Sequence, residues 1–142
     1  MKFSLIAALC LLVIPASVWA QEQTAHPLDK QLEVCVEKDP STAGMVSCID
    51  VALKKWDQQL NKNYQTLMGK LNPAGKQTLK TAQLDWIKYR DAEFKVLDTI
   101  YATLQGTMYI PMHLDQKMQI VRHRALALAG YLDLITEESD ER

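Results

Sequence analysis

The sequence has no excess of charge of either sign: sixteen Lys and Arg stand against seventeen Asp and Glu, a formal net charge of −1. That balance removes the basic footprint of a general nucleic-acid binder, and no nucleic-acid partner is expected. Alternating polar and apolar stretches are missing, so strands find no support in the pattern. Neither a Gly-x-Ser-x-Gly elbow nor a Gly-rich phosphate loop occurs. Past the first twenty residues, no apolar run approaches the length of a bilayer span. A chain of 142 residues is enough for one domain and too short for two of ordinary size. What is present, 48% hydrophobic and 23% charged residues, is the profile of a folded globular protein.

The exception at the N-terminus has the order of an export signal. Lys2 supplies the basic start, Phe3 to Ile14 form an apolar core, Pro15 breaks it, and Ala20 precedes polar Gln21. Cleavage is expected after Ala20, with delivery to the periplasm, or secretion from a host without an outer membrane. Cys10 does not fit a lipidation site, because Leu9 precedes it and more apolar residues follow. Removing residues 1–20 takes away Lys2 and leaves a charge of −2 on residues 21–142. No stable membrane insertion is expected of that mature chain.

Cys35 and Cys48 then remain as an even pair in an oxidising compartment, which reads as a disulfide. Its loop of about 14 residues is worth roughly 3 kcal/mol on the chain-entropy argument. Pro27 suits the first turn of a short helix to about Lys38, and Asp39 to Gly44 form a turn. From Val46 to Leu71 one stripe recurs every three or four residues: Ile49, Leu53, Trp56, Leu60, Tyr64, Leu67 and Leu71. Asn72-Pro73 caps a third helix carrying Leu79, Ala82, Trp86, Phe94, Leu97, Tyr101 and Leu104, broken at Gln105-Gly106-Thr107. The last helix carries Leu114, Met118, Val121, Ala125, Leu128, Leu132 and Ile135, after which an acidic tail, 136–142, is expected to fray. The fold class is all-α: a small antiparallel bundle with one short disulfide-tied helix, three long ones and a core over about 27–135.

Arg90 interrupts this pattern, because it shares a stripe with Trp86, Phe94 and Leu97 and so points inward. A buried guanidinium needs acceptors. Asp57, Asn61 and Tyr64 occupy one face of the preceding helix, and Gln83 lies two turns before Arg90. An interhelical Asp57–Arg90 pair, within a structural network of Asn61, Tyr64, Gln83 and Asp91, is the expectation.

Two cysteines around the first helix, then D-x-x-L-N-x-x-Y at Asp57–Tyr64 and L-x-x-A-Q-x-x-W-x-x-x-R-D at Leu79–Asp91, form a recognisable order. Over about residues 32–132 the chain resembles the LprI-like family, named after a lysozyme inhibitor. The resemblance implies an exported helical module and suggests inhibition of a muramidase by protein contact. Many members carry a further Cys after the Arg-Asp pair and another in the last helix. Here Phe94 stands at the first of those places and no Cys follows residue 48. The resemblance thus implies an apolar contact in place of a second bridge.

No nucleophile with a positioned base can be read from the chain. Asp57, Asp91 and Glu93 are carboxylates, but a small bundle offers little room for a sugar-sized cleft between two of them. The chain therefore reads as a non-enzyme that needs no cofactor. One segment stands out: Gly106 to His113 joins two helices yet contains Met108, Tyr109, Ile110 and Met112 beside Thr107. These residues either cover the open end of the bundle or form a rigid wedge for a partner's cleft, with Tyr109 as the aromatic anchor. Met108, Met112, His113 and Met118 are also soft ligands of the kind copper takes, although scattered Met and a lone His more often serve packing. The leading function is inhibition of a cell-wall-degrading lysozyme. The alternatives are a periplasmic binding or immunity-type module for another envelope protein or toxin, and a copper binder.

Overall fold

The computed structural model describes residues 25–140, the side chains of 137–140 excepted. Residues 1–24, with the expected export signal and Cys10, and residues 141–142 lie outside the described residues. Four helices make up the described chain: α1 (Pro27–Lys38), α2 (Thr42–Lys70), α3 (Pro73–Tyr101) and α4 (Tyr109–Asp140). Among the described residues there is no strand, and no helix is long and apolar enough to cross a membrane.

Local chemistry sets the helix starts. Ser41 Oγ accepts the amide of Gly44 and Asn72 Oδ1 that of Gly75, each satisfying an otherwise orphaned N–H. His26 caps α1 in the same way, its Nδ1 accepting from Leu28. The turn between α1 and α2 is shorter than the sequence suggested, because Ser41 caps α2 and draws Thr42 to Gly44 into it. Gly44 is buried there against Asp39; a Cβ would stand 2.4 Å from the Asp39 carbonyl oxygen. Beyond Ile135, α4 continues to Asp140.

Contacts between helices fix their directions. Cys35–Cys48, Gln31–Lys55 and His26–Trp56 run α1 antiparallel to α2. Lys117–Asp98 and Arg124–Gln83 set α3 antiparallel to α4. Arg122 over Trp56, then Asn63 on Ala125, lay α2 and α4 side by side in the same direction. The densest packing is α2 against α4, and α3 leans more lightly on α4.

The core follows the predicted stripes of α2 and α4. Ile49, Trp56, Leu60 and Leu67 meet Met118, Val121, Ala125 and Leu128, and Trp56 is wholly inaccessible. Full burial of each such side chain is worth about 1.5–3 kcal/mol. The expected disulfide joins Cys35 to Cys48, with Cα atoms 5.8 Å apart. No residue of α1 is fully buried; this bond and the salt bridge from Asp29 to Arg122 hold α1 together with Leu28 and Leu32, which pack against the core. On α3 the predicted stripe is only partly right. Leu79 and Leu97 are buried, but Ala82 is exposed and its neighbour Gln83 turns inward instead.

Candidate functional site

The structure redistributes the polar network expected around Arg90. The guanidinium does not reach across to Asp57; its Nε and Nη2 both donate to Asp91 on the same helix, at 2.9 and 2.7 Å. Rings one turn away on either side, Trp86 and Phe94, flank it at 5.3 and 5.9 Å from their centroids. Arg90 thus finds its acceptor and its cover along its own helix and stays one quarter exposed. Asp57 is engaged by Asn61, which donates to both its carboxylate and its backbone oxygen. Tyr64 packs against the core. Asp57 and Arg90 still face one cleft, floored by Leu53, Phe94 and Val121.

Three polar links join helices where sequence spacing gave no hint. Arg122 grips Asp29 with both Nε and Nη2, and this hydrogen bonding raises the guanidinium pKa above its ordinary value. Buried Asn63 donates to the Ala125 carbonyl oxygen while its own Oδ1 accepts from Gln59. Gln83 accepts from Arg124 Nε, whose guanidinium is pushed to a lower pKa by desolvation and whose Nη2 is buried without a partner. Helical periodicity marks which face is inward; it does not pair residues that lie 93 apart in sequence.

The corner between α3 and α4 differs from the predicted loop. Only residues 102–108 connect the helices; Tyr109, Ile110, Pro111 and Met112 already belong to α4. Pro111 is buried and anchors the first turn, a position where its missing N–H costs nothing. Gly106 has φ +117°, the left-handed conformation that turns the chain back. Tyr109 is not a free anchor, since it is half-buried and edge-on to Tyr101 at 6.4 Å. Nor do Ile110 and Met112 cover the bundle's end: Met108, Ile110 and Met112 are 60%, 55% and 44% exposed. Thr107 is exposed with them. The soft-ligand set is not assembled, because Met118 is inside the core and His113 lies against Asp98.

Exposed apolar side chains also line the outer side of α3. Tyr89, Val96 and Ile100 recur at spacings of seven and four, which puts them on one face of α3, and each is exposed; Leu104, which the stripe on α3 was expected to bury, lies beyond the helix in the connection and is exposed too. Twelve large hydrophobic side chains are exposed among the described residues, and eight of them fall between Leu84 and Met112. Such a concentration marks an interaction surface more often than scattered single residues do.

Behind the corner, Asp98 ties α3 to α4. Lys117 donates to its Oδ1, and His113 Nε2 lies 2.8 Å from the same oxygen without the alignment of a full hydrogen bond. The Lys117 hydrogen bond, chiefly, holds the Asp98 carboxyl below its usual pKa. The Lys117 ammonium also lies 5.4 Å from the Phe94 ring centroid. Phe94 thus links α3 to α4 through this cation and through the core at the place where the family resemblance led one to expect a cysteine.

Fold and surface together define a disulfide-tied, all-helical module with an apolar corner. The family described as lysozyme inhibitor LprI matches residues 35–128, and the chain belongs to that family. No curated protein matches the sequence. The chain is also similar to an uncharacterized protein from Burkholderia thailandensis known from its crystal structure. The two share 32% identity and a TM-score of 0.74 over 80% of this chain. The match spans 57% of the Burkholderia chain, little more than half its length.

Proposed function

We propose that the protein is exported to the periplasm by cleavage after Ala20 and there binds and inhibits a cell-wall-degrading muramidase. It acts by protein–protein contact and performs no chemistry of its own. Family membership over residues 35–128 carries this reading. The exposed apolar side chains at the α3–α4 corner and on the outer stripe of α3 support that surface as the site of contact.

Three features suit that surface to binding. It is apolar and solvent-facing, so covering it releases water at about 25 cal/mol per Å². Buried Pro111 and the Asp98–Lys117 tie hold it rigid, so little conformational freedom is lost on association. Export and the Cys35–Cys48 bond fit a scaffold that works outside the cytoplasm.

The test is a cell-wall lysis assay with mature protein against several lysozyme classes, run beside Ile110→Asp. Wild type is expected to slow lysis at micromolar excess. Ile110→Asp, which buries a charge in the interface and disturbs no core contact, is expected to lose most of that effect. Absence of inhibition in every class rejects the function; undiminished inhibition by Ile110→Asp rejects the corner.

A further inference from the structure

The corner contains a pocket of about 300 Å³ whose chemistry its apolar rim does not explain. Asp98, Tyr101, Tyr109 and His113 line it, with Leu104 and Ile110 at the side. Asp98 meets Lys117 and His113 through Oδ1 alone, and among the described residues no hydrogen bond engages Oδ2. Lys117 is not part of the lining, so it fixes the carboxylate without standing in the path of a ligand. A carboxylate has acceptor capacity left when one oxygen is used in this way.

The aromatic walls are also fixed. His113 stacks on Tyr101 with centroids 4.8 Å apart, and Tyr101 stands at 64° to the Tyr109 ring. The lining therefore combines a half-exposed aspartate carboxylate with two phenol rings and contains no Lys or Arg. A negatively charged ligand group would meet the Asp98 carboxylate directly. An aliphatic group would leave the remaining acceptor capacity of the Asp98 carboxylate unused.

We infer that this pocket is the receptor for a guanidinium group, an arginine side chain on the surface of the bound partner protein. A guanidinium donates in its plane to the Asp98 oxygen while its face lies on a tyrosine ring. An ammonium makes the charge contact and loses the stacking. The charge of −2 on residues 21–142 favours a basic partner in the same direction. The inference deepens the proposed function and rests on it for the partner's identity.

The test titrates mature protein with N-acetyl-arginine methylamide, following amide and tyrosine-ring shifts by NMR, with the lysine and glutamate analogues alongside. Saturable shifts confined to residues 98–113 are expected for the arginine probe, weaker ones for lysine and none for glutamate. Asp98→Asn and Tyr109→Leu should each weaken arginine binding about three- to fivefold, the latter with the Asp98–Lys117 tie intact. No saturable shift, equal binding of the glutamate probe, or unchanged binding in both variants overturns the pocket. Probe binding without inhibition of any muramidase would keep the pocket and refute the inhibitor reading. Inhibition without probe binding would refute the pocket alone.

Discussion

Asn63 in α2 donates its side-chain amide to the carbonyl oxygen of Ala125 in α4, 2.8 Å away and shielded from water. This bond fixes the register of the two most closely packed helices, since any slide between them would strand a buried donor. Asn63→Ala should cost about 1–3 kcal/mol in urea unfolding. Asn63→Asp should cost more, because it sets a carboxylate against a carbonyl oxygen. Wild-type stability in both variants would contradict the register role.

Asp29 and Arg122 should behave as one unit. Both side chains are about one quarter exposed, and the guanidinium contacts the carboxylate through two nitrogens while lying 5.4 Å from the Trp56 ring centroid. A double-mutant cycle with Asp29→Ala and Arg122→Ala should return a coupling of about 1–3 kcal/mol. Amide exchange should quicken in α1 first, where no residue is fully buried. Additive single effects would show the pair to be incidental.

Two glycines should respond to alanine with opposite sign. At Gly44 a Cβ would stand 2.2 Å from Asp39 Cγ and 2.4 Å from its backbone oxygen, so Gly44→Ala should destabilise by roughly 1–3 kcal/mol. Gly130 lies inside α4 with nothing within 4 Å of such a Cβ. Gly130→Ala should stabilise by up to about 1 kcal/mol through reduced freedom of the unfolded chain. Thermal melts of both variants check the pair.

Acid should loosen the corner in a defined window. The folded pKa of Asp98 lies below its unfolded value, mainly through Lys117, so its contribution is fully present above about pH 4. That contribution fades as pH falls through the lower folded value. The carboxyl ¹³C shift of Asp98 should titrate below the ordinary Asp range, and added salt should move it back because the group is exposed. A midpoint at or above the ordinary value would contradict the tie.

The order of helices, the inward faces of α2 and α4 and the disulfide could all be read from sequence, because each rests on local spacing or on counting cysteines. Spacing does not decide where a side chain has a choice of partners. It points Arg90 across the bundle to Asp57, yet Asp91, Trp86 and Phe94 satisfy it along its own helix. On α3 it turns Ala82 inward, but this helix is only lightly packed and Gln83 turns in instead to meet Arg124. The corner was legible in composition but not in form. Met108, Ile110 and Met112 stood out as apolar, while the start of α4 at Tyr109 depended on Pro111 finding a buried seat.

Amide hydrogen exchange of the mature protein, alone and mixed with a muramidase whose lysis it slows, tests the central claim most directly. Binding through the outer stripe of α3 and the α3–α4 corner predicts slowed exchange concentrated in residues 89–112, with α1 unchanged. Protection confined to α1, or no protection with any muramidase, would contradict it.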